Sequence, residues 1–155
     1  MRSAAFFAIF LFGAITICDG KRPHCTLRLH TEANARDGAP FAATIQSQFS
    51  GKPVVIEKMP MISEREVVGF RAYPAPDGSY GVLVQLDDHG RLALDTLSVE
   101  RRGTFLFVFI NGRPITELQI DRRVSDGKVY IASGLTANDI EMMKKDWRLL
   151  GARKK

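Results

Sequence analysis

Apolar and polar positions alternate along much of the chain. Cys25-Thr26-Leu27-Arg28-Leu29-His30 repeats with a period of two, which predicts a half-buried strand with Leu27 and Leu29 inward. A weaker strand is expected within Phe41–Gln48, in a segment otherwise rich in Ala, Gly, Asp and Ser. Pro53–Lys58 reads as a further strand, with Pro53 at its first position, where a missing N–H does no harm. Ser63 followed three residues later by Glu66 has capping-box spacing and predicts a helix of a turn or two. Val67–Tyr73 and Tyr80–Leu86 flank the turn-forming Pro74-Ala75-Pro76-Asp77-Gly78-Ser79, so they should pair as an antiparallel hairpin.

The period then changes. Asp88 is placed to cap a helix running to about Arg101, with Ala93, Leu94 and Leu97 as its buried stripe. Arg101 and Arg102 fall in its last turn and Gly103 stops it. Phe105–Ile110 has no polar position, which predicts a central strand shielded on both faces. Asn111-Gly112 is a hairpin signal, because both residues tolerate positive φ, and Ile115–Asp121 should return beside Phe105–Ile110 with Ile115, Leu118 and Ile120 inward. After a turn at Ser125-Asp126-Gly127, Val129–Ile131 reads as a short strand. Thr136 caps a last helix to about Leu149, with Ile140, Met143 and Trp147 on its apolar face. The order predicts an α+β fold: an antiparallel sheet with two main helices packed on one face.

Composition adds a compartment. The chain has 155 residues and a net charge of +5. Its basic clusters are short and its aromatics lie inside apolar strands, so it lacks the basic stripe with stacking rings that nucleic acid requires. Weak attraction to an anionic membrane surface suits the charge better. Met1-Arg2 precedes an uncharged run of about 15 residues from Ala4 to Cys18, short of the ~20 that a spanning helix needs. Residues 1–20 are therefore read as a signal peptide or as a membrane or lipid anchor. Three fates stay open: lipidation at Cys18, although Ile17 departs from the small residue expected before it; cleavage after Gly20; or an uncleaved anchor. Residues 21–52 read as an N-terminal strand and loop extension, 53–150 as the main domain and 151–155 as a basic tail.

Candidate chemistry is sparse. Cys18 and Cys25 could close a small disulfide loop in an oxidising compartment. His24, Cys25 and His30 lack the tight pairs of a zinc site, and the two histidines read as solvated positions at a strand entry. Asp87, Asp88 and His89, with Asp95 and Glu100 nearby, are the acid–base candidates. Helix capping accounts for Asp87 and Asp88 more simply, and Asp95 falls on the helix face expected in solvent. No phosphate loop, HExxH or GxSxG occurs, and no cofactor or metal is expected.

Five fragments in register carry a family likeness. They are Val54–Pro60 with Ile62-Ser63; Leu86-Asp87-Asp88-His89-Gly90; Ser98 five residues before Gly103; Phe109-Ile110-Asn111-Gly112-Arg113-Pro114-Ile115; and Ile131-Ala132-Ser133-Gly134-Leu135-Thr136. Together, from about Val54 to Leu150, they resemble the periplasmic P1 head of the bacterial protein-export subunit SecD. Asn-Gly stands where the family has Asp-Gly, and Gly134 lacks a preceding Gly. Asp88, Gly90, Ser98, Gly103, Asn111, Gly112, Gly134 and Thr136 are thus expected as a structural signature rather than a site. No set of six transmembrane helices follows the domain, so the resemblance implies the fold and an extracytoplasmic setting rather than proton-driven export. Of the family's activity it implies contact with emerging polypeptide. The expected function is a non-enzymatic envelope protein that binds a polypeptide or envelope protein through a sheet edge or groove. The alternatives are a membrane-anchored structural or scaffold protein and, behind it, an uncharacterised hydrolase.

Overall fold

The computed structural model describes residues 22–151, apart from 35 and 37. In chain order the elements are β1 (Leu27–Thr31), β2 (Ala42–Gln46), β3 (Pro53–Glu57), β4 (Ile62–Ser63), a 3-10 turn (Glu64–Glu66), β5 (Val67–Pro74), β6 (Tyr80–Leu86), α1 (Asp88–Glu100), β7 (Phe105–Ile110), β8 (Arg113–Gln119), β9 (Lys128–Leu135), α2 (Ala137–Asp146) and β10 (Arg148–Leu149). The class is α+β with antiparallel pairing throughout, except where β10 joins β5 in parallel. The strands divide between two four-stranded sheets, ordered β4-β1-β7-β8 and β10-β5-β6-β9, and a β2–β3 ribbon.

One core serves both sheets. Leu27 and Leu29 of β1 meet Val108 and Ile110 of β7, as their alternation requires. The second sheet adds Phe70, Val82, Val84 and Ile131, and the helices add Leu94, Leu97, Ile140, Met143 and Trp147. Each fully buried side chain of this size contributes roughly 1.5–3 kcal/mol by leaving water. β7 lies between β1 and β8, and its unbroken apolar run has a cause on each face. Leu106, Val108 and Ile110 enter the core, while Phe107, 3% exposed, points the other way, into a small cavity that the end of β2 and Gln48 also line. Ser47 and Gln48 pin the ribbon there by donating to the Glu117 carboxylate at 3.0 and 2.6 Å.

The hairpin between β5 and β6 forms as expected, and so does the one between β7 and β8. Asn111 and Gly112 turn the latter with φ of 51° and 74°. Several expectations are corrected. Asp87, in extended conformation, caps α1 by accepting the Gly90 N–H at 2.8 Å, so the cap lies one residue before Asp88. Arg101 and Arg102 fall beyond the last turn. The Arg101 guanidinium instead reaches back to the Glu32 carbonyl and the Glu57 carboxylate, both at 3.0 Å. β9 extends to Leu135 rather than ending at Ile131. α2 stops at Asp146, because Trp147 turns extended (φ −125°, ψ 146°) to bury its ring edge-on against Phe70. His30 is buried rather than solvated: its Nδ1 lies 2.8 Å from the Glu57 carbonyl and its ring packs edge-on against Phe109.

Candidate functional site

The acid–base candidates do not converge. Asp87 is occupied as the cap, the Asp88 side chain is fully in solvent, and His89 is exposed, 3.7 Å from Glu66. None of the three lines a described cavity. Asp95, expected in solvent, is largely covered by Arg123, which donates to both carboxylate oxygens at 2.5 and 2.7 Å. Those bonds hold the Asp95 carboxyl below its usual range. Glu100 is exposed at the end of α1. Cys18 lies outside the described residues.

Of the signature residues, Asp88 has no capping role, whereas the others occupy defined local positions. Gly90 is buried where α1 meets the 3-10 turn, and a Cβ there would fall 2.8 Å from Glu66 Cβ. Ser98 is buried on α1; its hydroxyl donates to the Asp95 carbonyl at 2.8 Å and accepts the Val124 N–H at 2.9 Å. Gly103 takes φ 92° just after α1. Gly134 takes φ 99°, and a Cβ on it would stand 3.1 Å from Ile115. Thr136 caps α2 in a capping box with Asp139.

Two acidic residues on α2 went unnoticed in the sequence. Asp139, 2% exposed, accepts from the Thr136 N–H and hydroxyl, from the Asn111 amide at 2.9 Å and from Arg113 at 2.5 Å. Burial would raise its pKa, but these donors outweigh burial and hold it below the usual carboxylate range. Asp146 accepts the His24 and Cys25 N–H groups at 2.6 and 2.8 Å, and the His24 ring at 3.0 Å. Its pKa is depressed in the same way, against burial. Burial, followed by the charges of Asp139 and Asp146, pushes the Cys25 thiol up to about 12, so it is an inert core group rather than a ligand or nucleophile. His24 and Cys25 are both held by Asp146 and His30 by the Glu57 carbonyl, and the three form no metal cluster among the described residues. The only sequence clue to Asp139 was its place three residues after Thr136.

The largest described cavity is a groove of about 610 Å³ where the two sheets face each other. β8 is the last strand of one sheet and β9 the last strand of the other. The two approach at Ile115 and Gly134 and are not paired. Toward the segment joining them they part, and Leu106, Leu118 and Val129 line the opening. Ser98 holds that segment through Val124, and Arg123 holds it through Asp95. Tyr130, 57% exposed, stands on the β9 side. Its ring stacks on Tyr73 at 5.4 Å and 9°, and the Tyr73 hydroxyl crosses β6 to donate to the Ile131 carbonyl at 2.7 Å. Gly81 makes that crossing possible, because a Cβ there would lie 2.3 Å from the Tyr73 ring. Its lining mixes the apolar side chains with Gln119, Asp121, Arg122, Ser125, Asp126 and Lys128, and two strand edges flank it.

No protein-family model matches the chain, and no curated protein matches it in sequence. Solved structures do share its fold. A crystal structure of SecDF in a super-membrane-facing form matches with a TM-score of 0.56 at 13% identity, covering 81% of this chain and 19% of that one. A second structure, of SecDF as a membrane component that enhances protein export, matches with a TM-score of 0.55 at 13% identity, covering 84% and 69%. The chain therefore corresponds to about a fifth of the first. At this identity the likeness is one of fold, and at that level the expected SecD-like architecture is present. No helix among the described residues is long and apolar enough to cross a membrane.

Proposed function

We propose that this chain is a non-enzymatic bacterial envelope protein whose folded domain receives a polypeptide at the extracytoplasmic face. The observation that carries the reading is the groove between two unpaired sheet edges, with Leu106, Leu118 and Val129 in its lining. A strand edge recognises main chain, and apolar lining recognises side chains without demanding a particular sequence. SecDF, which shares the fold, is described as enhancing protein export, and that setting fits such a groove. The apolar run before Asp19 supports export of the domain and an association with the membrane through residues 1–20.

A photo-reactive residue at Leu118, inside the groove, is expected to crosslink a reduced, carboxymethylated unfolded protein. The same residue at Leu92, exposed on α1, is expected not to. Equal labelling at both positions, or none at Leu118, would overturn the reading.

A further inference from the structure

The bond pattern of the two edges identifies what the groove lacks. In an antiparallel pair, residues alternate between pointing their N–H and C=O at the partner strand and pointing them away. The Leu86 N–H bonds the Gly127 carbonyl at 2.9 Å, and the register sets Val84 opposite Val129 and Val82 opposite Ile131. Gly127, Val129 and Ile131 therefore turn their main chain toward β6. The Tyr73 hydroxyl reaching the Ile131 carbonyl from the β5 side requires the same direction. Tyr130, between them, must turn its N–H and C=O outward, over the groove. On β8 the Ile120 N–H bonds the Thr104 carbonyl at 2.9 Å, and the Ile120 carbonyl accepts from Gly103 at 2.8 Å. Ile120 thus faces β7, as does Leu118 by alternation, and Gln119 turns its main chain outward toward the groove it lines.

Two four-stranded sheets therefore end on opposite sides of one groove, each with main-chain donors and acceptors directed into it. We infer that the groove is the place of a missing strand: a short extended segment of the bound polypeptide pairs with Tyr130 on β9 and Gln119 on β8, joining both sheets into one. This rests on the proposed polypeptide-binding function and names its site and mode. The opening is bounded by the Ile115–Gly134 approach at one end and the segment after Gln119 at the other, so it takes only a few residues at ~3.3 Å each. Arg123 is spent on Asp95 and Lys128 on Asp126, and the remaining lining charges, Asp121 and Arg122, are of opposite sign. The main chain is then what the site reads, with alternate side chains of the guest set against Leu106, Leu118 and Val129. The stacked Tyr73–Tyr130 pair stiffens the β9 edge against which it docks.

The test uses the full chain and a fluorescent carboxymethylated unfolded protein as probe. Tyr130→Pro removes an N–H that points out of the sheet, a position where an edge strand tolerates proline. Tyr130→Val removes the ring but keeps the N–H. Tyr130→Pro is expected to weaken probe binding about tenfold beyond Tyr130→Val, the effect of leaving a main-chain acceptor unpaired. Hydrogen exchange, read on the unmodified chain, makes the result independent of the proline variant's folding: the Tyr130 and Gln119 amides are expected to exchange fast alone and slowly with probe. Probe binding that protects neither amide, or that Tyr130→Pro and Tyr130→Val weaken equally, overturns the missing strand while leaving polypeptide binding intact. Absence of probe binding to the unmodified chain overturns both.

Discussion

At the scale of single residues, backbone conformation decides between neighbours that look equivalent. Asp87 and Asp88 are chemically identical, and either satisfies the rule that an acidic residue opens a helix. Only Asp87 has the extended φ/ψ (−71°, −176°) that turns its carboxylate back onto the Gly90 N–H. Asp88 already lies in the helix and points to water. Asp87→Ala is therefore expected to cost about 1 kcal/mol, and Asp88→Ala less than about 0.5 kcal/mol, by denaturant unfolding of the two variants. Equal costs would contradict the cap assignment. Asn111-Gly112 was fully legible because its information is local: both residues adopt positive φ, and the hairpin forms. His30 was misread because the ribbon that buries it comes from residues far along the chain.

At the scale of elements, α2 shows how a helix is tied into a fold at both ends. Its first turn holds Asp139, which gathers donors from the β7–β8 turn, and its last residue, Asp146, gathers donors from the segment before β1. The half-exposed Arg113 adds modestly, and Arg113→Ala should cost about 1 kcal/mol. Asp139→Ala leaves several buried donors unpaired and should cost about 3 kcal/mol. Both carboxylates are depressed in the folded state. Their contribution is present above the unfolded Asp value of ~3.9 and is lost as pH falls through the folded values. Unfolding free energy should therefore drop as pH is lowered below about 4, and Asp139→Asn should flatten that drop. A wild-type acid limb unchanged in the variant would contradict this. The early end of α2 was not legible, since Ile140, Met143 and Trp147 fit a continuing helix; burying Trp147 on Phe70 and pairing β10 with β5 outweigh one more turn.

At the scale of the whole molecule, the described core closes from Cys25 onward, drawing on both sheets and both helices. The strand in the segment read as an extension, β1, lies between β4 and β7 and contributes Leu27 and Leu29 to that core. Residues 1–20 are expected to act as a separable leader or anchor. The chain beginning at Lys21 should stay soluble and give the same circular dichroism and a cooperative unfolding transition; aggregation of that chain would refute the separation. The groove is the other whole-molecule feature. Its two sides are about ten residues apart in sequence, yet each belongs to a different sheet.

What the sequence determined by itself was whatever a few neighbouring residues decide. It settled the strand and helix periods, the Asn-Gly hairpin, the capping box at Ser63 and the cap at Thr136, and hence the α+β class. Tertiary structure alone decided that the strands split into two sheets, that the β2–β3 ribbon covers Phe107, and that Asp139 becomes a buried junction. It also decided that β8 and β9 part rather than pair. The reason is range: a period of two fixes which side chains face inward, but strand partners are chosen by the burial of surfaces supplied from distant segments.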